Sequence, residues 1–362
     1  MYYQKRNMSR AKRNEKHLLY SNYPVFGIVA GMIKAEITDS ELLTHLNTIE
    51  KDGMTVFTMA DGRFRGAFYN GTRMVNQMRA NHHLGILETM VLGQAELCAA
   101  LLIPMMKGRE HITFRYDTNG PAAGFSVEAD SSGYVRGHLL QDHIPIDKPL
   151  ENWDLSPFFG EGSLSISRLS EGSREPQTGT TEIKYRNIAK DLTWYFAQSE
   201  QVRTAFNTGI QLDKTGRVTG AGGLFVQAIP QTGGIKDENG ITGNSAQTAE
   251  SGKDNPDAES ELTRRVENAF SAMPSIGQWF AGSGKREDIV FGLFREFKPT
   301  VLIERDVIFN CPCSTEHFAA AIKNLGQKEL NDIIAHDSFP LEVVCHNCGS
   351  VYHITKEMIQ NT

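Results

Sequence analysis

Apolar residues recur at helical spacing from Leu84 to Leu102: Leu84, Leu87, Val91, Leu92, Ala95, Cys98, Ala99 and Leu102. That rhythm predicts a long amphipathic helix with one face on a core. Pro104 ends it. Cys98 lies on the apolar face and reads as a small core residue. The period then changes to two. Ile112, Phe114 and Tyr116 alternate with polar neighbours, and Asn119-Gly120-Pro121 turns the chain. Further strands are predicted at 125–129, 134–139, 163–169, 180–185, 208–212 and 224–229, with a helix at 188–198. Short turns between them favour antiparallel pairing. Residues 20–230 therefore read as one α+β domain.

The pattern fades at Gln231. Residues 231–260 carry five glycines, few apolar residues and six acids against two lysines. Such a stretch buries too little to offset the entropy of ordering it, and predicts a flexible acidic insertion. Periodicity resumes with Leu262, Val266, Ala269, Phe270 and Met273, then Ile276, Trp279, Phe280, Ile289, Val290, Leu293 and Phe294. This aromatic-rich run predicts a helical linker domain over 261–305. In the remainder, 306–362, Phe318, Ile322 and Leu325 mark one helix and Leu330, Ile333 and Ile334 a second. Strands at 341–344 and 351–354 would form a hairpin.

Forty per cent of the 362 residues are hydrophobic, enough for a sizeable core. The formal charge of −6 disfavours general nucleic-acid binding. No uninterrupted apolar run reaches the roughly 18 residues of a membrane helix. The N-terminus has no secretory pattern, so a cytoplasmic setting is expected. Residues 1–19 form a basic extension with Lys5, Arg6, Arg10, Lys12, Arg13 and Lys16.

Five cysteines are present, and four cluster in the tail as Cys311-Pro312-Cys313 and Cys345-His346-Asn347-Cys348. Two close pairs supply the two edges of a tetrahedral thiolate site, which suits one Zn2+. His317, His346 and His353 lie nearby, but four cysteines already complete the shell. Gly349 suits a tight turn beneath the metal. So small a module takes much of its folding free energy from the ion. The spacing alone fits a plain structural staple. That is the reading the spacing favours; the other is a switch, because thiolates are also what oxidants attack. Two other readings compete: a zinc-ribbon nucleic-acid binder and a thiol–disulfide oxidoreductase. Acids at Glu316, Glu329, Asp332 and Asp337 weigh against the first. The hairpin setting of the Cys345 pair weighs against the second. No nucleophile–base constellation marks the large domain as an enzyme.

With these motifs the chain resembles the heat shock protein 33 family, the redox-regulated 33 kDa chaperonins. Cys311-Pro312-Cys313-Ser314 and Cys345-His346-Asn347-Cys348-Gly349 are similar to the family's cysteine motif. Ser199-Glu200-Gln201 and Ala221-Gly222-Gly223-Leu224 are similar to two further signatures. The resemblance covers roughly residues 20–230 and 259–360. It implies an α+β fold with a mainly antiparallel N-terminal domain, a helical linker and a small zinc domain. It also implies an ATP-independent holdase, inactive when reduced. Oxidation would pair Cys311 with Cys313 and Cys345 with Cys348, release zinc, unfold the linker and favour a homodimer. Unfolding proteins would be the partners, with neither nucleic acid nor membrane. Phe270, Trp279, Phe280 and Phe294 are the candidate client-binding residues. The basic extension and the long insertion depart from the family pattern.

Overall fold

Ile112, Phe114 and Tyr116 are fully buried, while the residues between them are half-buried, as alternation predicts. The computed structural model describes residues 32–146, 152–229 and 256–360. The predicted basic extension and most of the predicted acidic insertion lie outside the described residues.

The chain runs α1 (Ser40–Thr48), β1 (Gly53–Met59), β2 (Phe64–Asn70), α2 (Thr72–His82) and α3 (Ile86–Leu102). Strands β3 (His111–Thr118), β4 (Gly124–Asp130), β5 (Tyr134–Leu139), β6 (Gly162–Leu169) and β7 (Gln177–Glu182) follow. Next come α4 (Ile188–Tyr195), β8 (Thr204–Leu212) and β9 (Val218–Ala228). The linker holds α5 (Pro256–Ser271), α6 (Ile276–Ala281) and α7 (Arg286–Leu293), then β10 (Thr300–Arg305) and β11 (Ile308–Phe309). The tail holds α8 (Thr315–Lys323), α9 (Gln327–His336), β12 (Leu341–Val344), β13 (Val351–Ile354) and α10 (Lys356–Gln360).

These elements build a mixed α+β fold of mainly antiparallel sheets. One sheet has the order β10-β1-β2-β9-β8, the second β11-β5-β4-β3-β6-β7, and β12 and β13 form a hairpin. Every pairing is antiparallel except β11 with β5.

Helix α3 differs from its expected amphipathic form. Every residue but Ile86 and Gln94 is buried, because the helix packs against both large sheets. Its extension to Met105 gives it the length and apolarity of a membrane span, yet that apolar surface is covered within the protein. Cys98 is fully buried on it, as its spacing predicts.

The five-stranded sheet is covered on both sides. Met54, Val56, Ala67, Tyr69, Ala221 and Phe225 join the central core beneath it. Phe57, Met59, Phe64, Phe68, Leu224 and Val226 point the other way and meet the linker. There Val266, Ile276, Phe280, Ile289, Val290, Phe294 and Phe297 close a separate apolar cluster.

The linker differs from its predicted all-helical character in two ways. Its first helix starts at Pro256, inside the range read as insertion, with Pro at a position where its missing N–H costs nothing. Its last residues are extended: β10 pairs with β1, with Val56 opposite Ile303. β-Branched Thr300, Val301 and Ile303 favour that conformation. Other boundaries move too. β7 occupies Gln177–Glu182 rather than 180–185, β8 and β9 begin at Thr204 and Val218 rather than 208 and 224, and the 188–198 helix passes at Phe196 into a wider turn reaching Glu200.

Candidate metal centre

Strands β12 and β13 pair in register, Val344 opposite Val351, and the knuckle between them carries Cys345 and Cys348. The Gly349 N–H donates to the Cys345 carbonyl at 2.8 Å, and the Cys345 N–H to the Ser350 carbonyl at 2.8 Å. Gly349 closes this turn at φ +69, where only glycine is unstrained. Cys311 and Cys313 arrive from the other side, just after β11. Ser314 then caps α8 by accepting the His317 N–H at 3.1 Å.

The four sulfurs lie within 4.8 Å of one another, and all four cysteines are buried. Cys311 Sγ is 3.8 Å from Cys345 Sγ, and Cys313 Sγ is 3.4 Å from Cys348 Sγ. A tetrahedron with metal–sulfur bonds of about 2.3 Å separates its sulfurs by about 3.8 Å. The donor set and its spacing therefore fit a metal ion. Electrostatics agree. Hydrogen bonds from the Cys313, Cys345 and Cys348 thiols, then the charge of Arg136, hold Cys311 well below the ordinary thiol range against the opposing effect of burial. Cys313 and Cys345 are pushed well above it, Cys313 chiefly by its contact with Cys311 and Cys345 by those with Cys311, Cys313 and Cys348. Four thiols packed this closely cannot all ionise without a cation among them.

Around the sulfurs, Tyr352 Oη lies 3.0 Å from Cys313 Sγ and donates to the Cys313 carbonyl at 3.1 Å. Cys348 Sγ lies 3.2 Å from Ser350 Oγ, and Ser350 Oγ donates to the Ile33 carbonyl at 2.9 Å. The knuckle sits directly on the N-terminal body. The Gly137 N–H donates to the Asn347 carbonyl at 3.0 Å. His138 Nδ1 lies 2.9 Å from Asn347 Oδ1, and the His138 and His346 rings are 3.8 Å apart. Phe318, Ile322, Leu341, Val343, Tyr352 and Ile354 of the tail are continuous with the central core.

A Cβ at position 349 would fall 2.3 Å from the Asn81 carbonyl oxygen in α2. Gly349→Ala is thus expected to lose docking as well as turn geometry, at a cost of about 1–3 kcal/mol from backbone strain alone. A lowered melting temperature for the metal-loaded protein checks this; an unchanged one would show that the close approach is dispensable.

The candidate client-binding aromatics lie elsewhere. Phe280 stacks on Phe68 with centroids 5.0 Å apart, and Phe294 packs on Phe57 at 5.6 Å; Phe280 and Phe294 are fully buried. Phe270 and Trp279 are partly buried in the same cluster. The structure thus gathers the four cysteines at one point and the four aromatics under the linker. Sequence reasoning passed over Arg136, whose only signal is a charge inside the strand pattern of β5.

The chain thus combines an α+β body, a clasping helical linker and a buried four-cysteine tail. The solved 33 kDa chaperonin of Thermotoga maritima superposes with a TM-score of 0.69 at 27% identity, over 85% of this chain and 96% of that one. The chain belongs to the Hsp33 family, whose profile, described as Hsp33 protein, matches residues 52–355. The 33 kDa chaperonin of Shouchella clausii is 30% identical over 308 residues, covering 84% of this chain and 95% of that protein. That of Bacillus subtilis is 28% identical over 302 residues, covering 83% and 94%.

Proposed function

We propose that this chain is a redox-regulated, ATP-independent holdase whose tail binds one Zn2+ through Cys311, Cys313, Cys345 and Cys348. The observation that carries the reading is the linker. It covers the apolar outer side of the five-stranded sheet, and only residues 306–310 separate β10 from Cys311. When bound, the ion supplies folding free energy to the tail, on the order of 10–16 kcal/mol in isolated zinc peptides.

Oxidation acts on the cysteines. Each thiolate pair gives two electrons to hydrogen peroxide and, with two protons from solvent, forms one disulfide and two waters, and so surrenders two ligands. A tail without its ligands no longer anchors the end of the linker. Uncovered Phe57, Phe64 and Phe68, with the linker's own Phe270, Trp279, Phe280 and Phe294, then offer non-directional anchors for unfolding proteins. The same newly exposed surface favours a homodimer. Thiols that must rest reduced suit the cytoplasm.

Treating reduced, zinc-loaded protein with peroxide tests this reading. Metal release, followed with a chromogenic chelator, is expected to rise together with suppression of a client's thermal aggregation. Equal suppression before and after oxidation removes the switch; none in either state removes the holdase.

A further inference from the structure

Arg136 belongs to the N-terminal body yet touches the metal centre. Its side chain, midway along β5, is only 7% exposed. Nε and Nη2 both contact Glu128 Oε2 at 2.6 Å. Nη1 instead donates to Cys311 Sγ at 3.2 Å, between residues 175 positions apart in sequence. Other docking contacts carry no such charge: Gly137 with Asn347, Ser350 with Ile33 and Met32 with Cys311 are neutral hydrogen bonds to backbone carbonyls, and His138 meets the Asn347 side-chain amide.

We propose that Arg136 is a positioning residue that makes docking of the cysteine tail depend on Cys311 carrying a thiolate. This rests on the four-thiolate reading given above and adds what senses the loss of charge. A guanidinium bonded to an anion forms a charge-assisted hydrogen bond, about twice as strong as a neutral one. A metal-bound thiolate keeps its negative character. A disulfide sulfur is neutral and accepts poorly. When the Cys311 and Cys313 thiolates pass two electrons to hydrogen peroxide and join, with two protons taken from solvent and two waters released, Arg136 stays buried but loses its anionic sulfur. The Nη1–Sγ contact then falls from a charge-assisted bond to a weak neutral one while Nε and Nη2 stay on Glu128, so docking loses its strongest polar tie. The next residue, Gly137, donates to Asn347, so the backbone contact is lost in the same movement. Glu128 occupies Nε and Nη2, which leaves Nη1 for the sulfur.

The test uses the full chain with cobalt(II) as the metal probe. Arg136→Lys and Arg136→Gln are expected to lower metal affinity about 10–100-fold, the usual cost of losing a group that orients a ligand. They are also expected to shift the thiolate-to-cobalt charge-transfer bands. In reduced Arg136→Gln, hydrogen exchange at the Gly137 N–H should speed up towards the rate of oxidised wild type. Glu128→Gln leaves Nη1 facing Cys311, so it should lower the melting temperature while leaving the bands in place. Unaltered bands and affinity in the Arg136 variants overturn the proposal. So do equal band shifts in Glu128→Gln, which would mean general loosening. If Arg136→Gln fails to fold by far-ultraviolet circular dichroism, Arg136→Lys carries the comparison. A wild-type protein that gives no tetrathiolate cobalt spectrum refutes the metal reading itself.

Discussion

Replacing Cys345 and Cys348 together by serine is expected to abolish tight metal binding and unfold the tail. The change removes one whole edge of the sulfur tetrahedron and leaves Cys311 and Cys313 facing two weak hydroxyl donors. Without the ion the tail keeps only its apolar contacts with the central core and short elements of its own. Helix α9 has no buried residue, and the hairpin is two strands of four residues each. A two-stranded hairpin alone is marginal in water. Against a typical domain stability of about 5–15 kcal/mol, losing an ion worth on the order of 10 kcal/mol to such a module cannot be absorbed locally. Elemental analysis should find the metal gone, and circular dichroism should find the α8 and α9 helical signal lost. The variant should also suppress aggregation before any oxidant is added. Unchanged metal affinity would refute the ligand assignment.

Phe280→Ala is expected to free the linker while the cysteines remain reduced. Phe280 is fully buried and stacked on Phe68, and a Cβ at Gly222 would lie 2.4 Å from its ring. Truncating such a ring costs about 3–5 kcal/mol. The loss falls on the linker's own apolar cluster, which is separate from the central core. The body should thus stay folded while α5, α6 and α7 become susceptible to protease. Metal should be retained, and holdase activity should appear without peroxide. Truncation of partly buried Phe270 is expected to do the same more weakly. A variant that keeps its linker protease-resistant would separate Phe280 from the clasp.

The elements that were plain in the sequence share one property: their local pattern matches their final environment. Tyr134–Leu139, Leu341–Val344 and Val351–Ile354 appear where alternation and flanking turns put them. The two cysteine pairs were equally plain, since ligand spacing is a local feature. The elements misread or not read at all have patterns set by distant partners. Helix α3 lies between two sheets, so its polar face is nearly absent. Gly53–Met59 and Phe64–Asn70 are buried on both sides, which erases the period-two signal. β10 follows a helical run and becomes a strand only by reaching β1. The Arg136 contact joins residues far apart in sequence, and no local rule carries it.

Neighbouring residues in the five-stranded sheet answer to different demands. Tyr69 must fit an interior that stays shut, with its hydroxyl donating to the Val307 carbonyl at 2.9 Å. Phe68, beside it, grips the linker and, under the proposed switch, would have to meet water once the linker lifts. One ladder of backbone bonds would then serve two durabilities, a lasting frame and a cover that can be shed. Sequence drift can retune the grip through Phe57, Phe64, Phe68, Leu224 and Val226 without loosening the frame behind them.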